Sequence, residues 1–367
     1  MHDHAMVLAG VPANKFFFDA KTNIETSALV SGYYGFDSLA AGYDGYNIEI
    51  EALGGKLVYG ENAMPTIDFR DPLIKRPEDL EKLKNKKVNF RKDGRFPLAI
   101  EHSNLSLEYG FSTAMFCSPF SMAVGMRGFP ALYRDIRKNP KFYAELMTFI
   151  VDNVIIPWIK VQNEDTGNLM AVGADAWASV PNLSVKEMMD WVVPYNQRLI
   201  QKTKKYGIII MGSTGLYSEE RAEKFDPKIL HGSFDVELAS SSVPAIMFLQ
   251  GHANEYPLQS VRDYTAKARE QGKKFSISAT VNAQLLRDGP VDKIVNKIKE
   301  TIDIFARDHE FNMILGNIPT DAPSDHIHAA VAAVHTYGKL PIADNLDEIQ
   351  FKMPKKEPFN EWRKHNA

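Results

Sequence analysis

From about residue 96 to residue 337 the chain alternates short β-type runs with longer amphipathic stretches, and no other feature narrows its possible folds as much. Parallel strands cannot be joined by a tight turn, so each needs a crossover of helical length. Residues 98–101, 170–174, 207–211, 245–249, 275–279 and 312–315 read as strands, and one or two more are expected within 115–118 and 230–236. Between them, Val185, Met188, Met189, Val192, Leu199, Ile200 and Thr203 recur at spacings of three and four, as do Val291, Ile294, Val295, Ile298, Ile302 and Phe305. The Ala-rich stretch 326–337 closes the alternation. The expected fold class is α/β, a (β/α)8 TIM barrel with an N-terminal extension; an open doubly wound sheet is the structural alternative. No Gly-x-Gly-x-x-Gly follows a strand and no Gly-Lys-Ser/Thr phosphate loop is present, which removes support for a nucleotide-binding sheet.

A length of 367 residues fits one large domain. The expected organisation is an N-terminal segment over 1–95 packed on a barrel core over 96–345, with a C-terminal tail over 346–367. The first hundred residues hold aromatic and Gly-rich pieces with no sustained helical period and predict only short elements. A formal net charge of −3 leaves no excess of Lys and Arg to neutralise a phosphate backbone, so nucleic acid is not an expected partner. The single cysteine, Cys117, excludes an internal disulfide and any site with several thiolate ligands, and fits a reducing compartment. No apolar run approaches the roughly 20 residues of a membrane span, and residues 1–6 lack a signal pattern. A cytoplasmic protein without a membrane role is expected.

In a barrel of this kind the reacting groups follow the carboxyl ends of the strands. The positions so placed are Glu101, His102 and Asn104; Asp175; Ser213 and Thr214; His252, Asn254 and Glu255; Asn282; and Asn317 with Asp321. Asp175 follows an apolar run and precedes an aromatic residue, which suits a partly buried carboxyl with a raised pKa. His252 and Glu255 pair an imidazole with a carboxylate in one loop, for a divalent metal or for acid/base work. Asp235 and Glu237, two apart, would share a face of an extended strand and are further ligand candidates. Each polar residue alone is as compatible with capping a helix or bonding a turn. His326, His328 and His335 are read as structural or surface groups.

Several segments taken in order resemble the uroporphyrinogen decarboxylase-like superfamily. They are Ile50-Glu51-Ala52-Leu53-Gly54 after Tyr43-Asp44-Gly45, then Ser118-Pro119-Phe120-Ser121, Asn139-Pro140-Lys141-Phe142, Asp175, Val192-Val193-Pro194-Tyr195, and Gly316-Asn317-Ile318-Pro319-Thr320-Asp321. The resemblance implies the barrel and a catalytic Asp175. Two departures choose a branch. No arginine stands near residues 16–35 to grip porphyrin carboxylates, and Gly212-Ser213-Thr214 and Gly316-Asn317-Ile318 stand where thiol-methylating relatives keep zinc-binding His and Cys. What remains resembles the corrinoid-dependent methyltransferases of O-demethylase systems, which take a methyl group from an aryl methyl ether. On that resemblance, Asp175, Glu101 and His102 are the catalytic candidates, Asn104, Asn254, Glu255, Asn282 and Asn317 the substrate-binding ones, and Glu237 and His252 the metal ligands, with zinc the metal to expect. The corrinoid (cobalamin) would arrive on a separate corrinoid protein, and a homodimer is compatible with the pattern. A decarboxylase or lyase acting on a non-porphyrin carboxylic acid, or a barrel that only binds a tetrapyrrole, are the competing functions.

Overall fold

A computed structural model describes residues 2–39, 42–110, 112, 114–219, 224–248, 257–307, 310–315 and 318–366. Two short strands, β1 (Leu57–Val58) and β2 (Thr66–Ile67), make an antiparallel ribbon near the N-terminus. The parallel strands are β3 (Ala114–Cys117), β4 (Met170–Ala174), β5 (Ile209–Gly212), β6 (Ala245–Phe248), β7 (Ser276–Thr280) and β8 (Phe311–Ile314). They form two parallel sheets, β3-β4-β5 and β6-β7-β8, with helices between consecutive strands.

The two half-barrels meet at seams that side chains and loops close. At the β5/β6 seam the Ser242 N–H donates to the Ile210 carbonyl (2.7 Å), and the Met247 N–H donates to Glu237 Oε2 (2.6 Å). Met247 faces that seam because Pro244, three residues earlier, turns its carbonyl the other way, to the Ser276 N–H of β7. At the far seam residues 36–38 lie against β8 and Tyr43 lies against β3. Phe36 to Ser38 share a cavity with Met313, Ile314 and Leu315, and farther on the Met115 N–H of β3 donates to the Tyr43 hydroxyl (3.1 Å). Met115 and Cys117 would otherwise present unpaired edge donors, which buried structures rarely leave unmade.

Three expectations change. Residues 98–101 are not a strand: they lie in the helix Phe96–Glu108, which Pro97 opens at a position where its missing N–H costs nothing. Residues 230–236 lie in the helix Pro227–Ala239, whose buried Leu230, Ser233, Phe234 and Glu237 follow a helical spacing, two of them polar, which hides the period. Nor is the N-terminal region short of regular structure, since Ala20–Tyr34 is a helix capped by Asp19, which accepts from the Thr22 N–H at 2.6 Å. Its buried face carries Asn23, Thr26, Ser27 and Ser31, so polarity hides its period.

The stretch 184–206 begins with a capping box between Ser184 and Glu187 and divides at Val192 into the helices Val185–Trp191 and Val193–Lys204, where Pro194 removes a helical donor. One helix, Pro140–Thr166, is long and apolar enough to cross a membrane, contrary to the sequence expectation; most of it is buried inside the protein, as in a core helix. It carries a π-helical turn at Ile150–Ile155, just before Pro157. Strand β4 packs tightly: a Cβ on Gly173 would lie 2.5 Å from Ser118 Oγ and 2.7 Å from Phe116 Cζ. Gly173→Ala is therefore expected to lower stability by about 1–3 kcal/mol through overpacking, read as a lower urea midpoint at constant slope.

Candidate active site at the carboxyl end of the first half-barrel

Asp175 follows β4 directly and is fully buried. Its Oδ1 accepts from the Ser121 hydroxyl (2.7 Å) and its Oδ2 from the Thr214 hydroxyl (2.6 Å). Ser121 belongs to the helix after β3 and Thr214 to the loop after β5, so one carboxyl ties three strand ends together. Asn196 Nδ2 donates to Thr214 Oγ1 (2.9 Å), and the Ser213 hydroxyl accepts from the Asp175 N–H (3.0 Å). Burial raises the Asp175 pKa, against the opposing pull of the two hydroxyls.

Sequence reasoning quoted the segment around Tyr43-Asp44-Gly45 and Ile50-Glu51 without giving it a chemical role, and this segment supplies the rest of the site. Asp44, buried, accepts from the backbone N–H groups of Tyr46 (3.1 Å) and Asn47 (3.2 Å) and from Arg95 Nη2 (2.8 Å). Arg95 also donates from Nε to Glu51 (2.6 Å), and its guanidinium lies 4.9 Å from the centre of the Phe18 ring. An arginine thus reaches the N-terminal aromatic segment after all, from far along the chain, but two carboxylates engage it. Tyr46 is half-buried; burial, and then the nearby Cys117, Asp175 and Asp44, push its phenol pKa up, so it stays protonated. The Cys117 thiol is buried and its pKa raised by burial, which leaves it unreactive.

Glu49 Oε1 accepts from the Cys117 N–H (2.8 Å), and burial lifts its pKa to about 7. A folded-state pKa above the unfolded value means the folded protein holds this proton more tightly. Stability from Glu49 is thus fully present below about pH 4.5 and lost as pH rises through about 7. Asp175 and Glu237 shift in the same direction, so Glu49→Gln isolates the contribution. Comparing urea unfolding at pH 5 and pH 8, the wild type is expected to lose on the order of 2–3 kcal/mol more than Glu49→Gln; equal losses would remove Glu49 from this role.

The remaining candidates separate. Glu101 and Asn104 are exposed on the outer face of Phe96–Glu108, beside a groove shared with Arg91 and Asp165, and are not brought to Asp175. His102 points the other way on the same helix: it is buried, its Nε2 is 3.0 Å from Asn23 Oδ1, and its ring meets Tyr43 edge-on at 5.4 Å. Burial lowers its pKa to about 4, so it is neutral. Asn282 caps the helix Ala283–Asp288 by accepting from the Gln284 and Leu285 N–H groups (2.8 and 3.1 Å). Asp235 and Glu237 are on a helix, where a separation of two places them on different faces. Asp235 accepts from the Tyr264 hydroxyl (2.9 Å), while Glu237 is the buried group at the β5/β6 seam, its Oε1 without a hydrogen bond and its pKa raised by burial. His252, Asn254, Glu255 and Asn317 lie outside the described residues. Among the described residues no group of three His, Cys, Asp or Glu side chains could hold a metal.

The profile of the uroporphyrinogen decarboxylase (URO-D) family matches residues 1–337, nearly the whole of this arrangement. The chain belongs to that family. A uroporphyrinogen decarboxylase of Syntrophotalea carbinolica is 29% identical over 181 residues, which cover 44% of this chain and 46% of the relative, so the chain spans about half the length of that relative. Among solved structures, a methyltransferase from Methanosarcina mazei superposes with a TM-score of 0.67, covering 90% of this chain and 89% of its own at 14% identity. That likeness establishes a shared fold across nearly the whole URO-D barrel. Membership thus accounts for the parallel β/α order.

Proposed function

We propose that this URO-D family member is a methyltransferase that demethylates a methoxylated aromatic compound and passes the methyl group to the Co(I) corrinoid of a separate protein. The observation that carries this reading is a rim that, among the described residues, is rich in acids and poor in free cations. Asp175 and Glu49 are buried carboxyls with raised pKa values, Tyr46 is a protonated phenol beside them, and the buried Arg95 is engaged by Asp44 and Glu51. Such a rim suits a substrate that needs a hydrogen-bond donor on its leaving oxygen, and it suits a polycarboxylate poorly.

In the proposed reaction a Co(I) corrinoid on its carrier protein would supply the electron pair that takes the methyl group, so that the methyl–oxygen bond breaks with its pair left on the ether oxygen. Tyr46, the half-exposed acid, donates a hydrogen bond to the developing phenolate, which takes its proton from solvent on release, and the buried Asp175 nearby helps keep the Tyr46 phenol protonated. Ser121 and Thr214 hold Asp175 in place. The corrinoid supplies only the nucleophile. No step of this reading is assigned to zinc, since His252 of the expected metal pair lies outside the described residues. Glu237, the one described member of the expected metal pair, has an oxygen committed to the Met247 N–H at the seam.

Incubation with methoxybenzoates or methoxyphenols and a reduced corrinoid protein is expected to release the phenol and give the absorption of methylcobalamin. Carbon dioxide release from a carboxylic acid without any corrinoid would replace this reading with the decarboxylase activity of the curated relative.

A further inference from the structure

TIM barrels ordinarily fill their interior with side chains. Here the burial is reversed. Phe248 and Phe311 face the helix Val291–Phe305, their rings 5.4 and 6.4 Å from Phe305, so their neighbours Met247 and Asn312 point into the bore. Strand register puts Met247, Ser278 and Asn312 side by side in one half-barrel, and Met115, Val172 and Met211 side by side in the other. All six retain solvent exposure, whereas the alternate residues Phe116, Ala171, Ile210, Ile246, Ile277 and Ala279 are buried. At the level of these six positions the interior is thus more open than the layer beneath the helices, while Cys117 and Thr280, two residues farther along the same faces, are buried. Around the six positions the chemistry is uneven: Met115, Val172, Met211 and Met247 make an apolar, polarisable wall, and Ser278 with Asn312 make a short polar one.

We propose that this bore is a binding site for a single aromatic ring bearing one neutral hydrogen-bonding substituent opposite its ether. The inference rests on the methyltransferase reading and gives its substrate class. The ring lies on the thioethers, which make favourable contacts with aromatic faces and edges. Its polar substituent meets the Ser278 hydroxyl and the Asn312 amide. The rim lies about 10 Å along the strand from Val172, at the level of Asp175, and there the half-exposed Tyr46 is the group that the ether end of such a molecule would meet. Among the described residues the wall holds no cation to compensate a buried charge, so a hydroxyl or amide substituent is preferred to a carboxylate.

Binding measured by calorimetry, without corrinoid, tests the site apart from the reaction. 4-Methoxyphenol is expected to bind about 3–10-fold more tightly than methoxybenzene, and Ser278→Ala combined with Asn312→Leu to abolish that preference, as the loss of one or two hydrogen bonds would. Ser278→Phe and, on the opposite wall, Ala174→Phe are expected to block both ligands, with folding verified by far-UV circular dichroism. Wild-type protein that binds neither compound, or filled variants that bind them normally, would overturn the site. Bore binding without methyl transfer to a corrinoid protein would instead sink the proposed function and leave the site standing.

Discussion

Tyr46→Phe is expected to lower kcat for ether cleavage by about 10²–10³-fold, the usual cost of removing one donor from a developing oxyanion. The loss should fall in kcat more than in KM, since the hydrogen bond strengthens only as charge builds on oxygen. It should also shrink for a nitro-substituted aryl ether, whose phenolate needs less stabilisation. Folding is not expected to suffer: burial of the ring is retained, and it is the Tyr46 backbone N–H, which the substitution leaves in place, that donates to Asp44. The check is a steady-state comparison of two ethers differing in leaving-group acidity. An unchanged kcat, or an equal loss for both ethers, would remove Tyr46 from the chemistry and leave Asp175 without an exposed partner.

Arg95→Met is expected to destabilise the fold by about 3–5 kcal/mol, because it leaves a buried carboxylate unpaired. Arg95 is 6% exposed and holds Asp44, which is 1% exposed, at 2.8 Å, with Glu51 on its other side at 2.6 Å. Asp44 in turn fixes the backbone of Tyr46 and Asn47, so the same substitution should disorder the segment that carries the proposed donor. Part of the penalty belongs to the stranded charge and not to the lost bond. Arg95→Met combined with Asp44→Asn should therefore recover a substantial part of the stability in urea unfolding. A loss below about 1 kcal/mol for the single variant would mean that water reaches Asp44 and that the pair is not a buried one.

Local pattern made the second half of the chain legible. Strands β4 to β8 alternate residues of opposite burial or lie between strongly amphipathic helices, and both periods can be read without tertiary information. The same reasoning failed at residues 98–101 and 230–236, which lie in helices. It failed again at Ala20–Tyr34, whose buried face mixes polar with apolar residues, Asn23 among them pairing with the remote His102 and with the Phe16 carbonyl. The position of Asp175 at a strand end was legible because it directly follows an apolar run. Glu101 was misplaced by the same logic, since the run before it is a helix and turns it to solvent.

The order of residues by itself determined a parallel β/α architecture, the place of Asp175 at a strand end, and the absence of a thiolate ligand set, because periodicity and residue type are local properties. Only the tertiary structure decided that Asp44, Tyr46, Glu49 and Arg95 join Asp175 at one rim. It also turned two carboxyls, Glu49 and Glu237, into caps for strand edges and left the bore open at the level of Val172 and Asn312. Those outcomes depend on which backbone donors the seams leave unpaired and on how far each acid is taken out of water. Both are set by contacts between residues remote in sequence, where no spacing rule reaches.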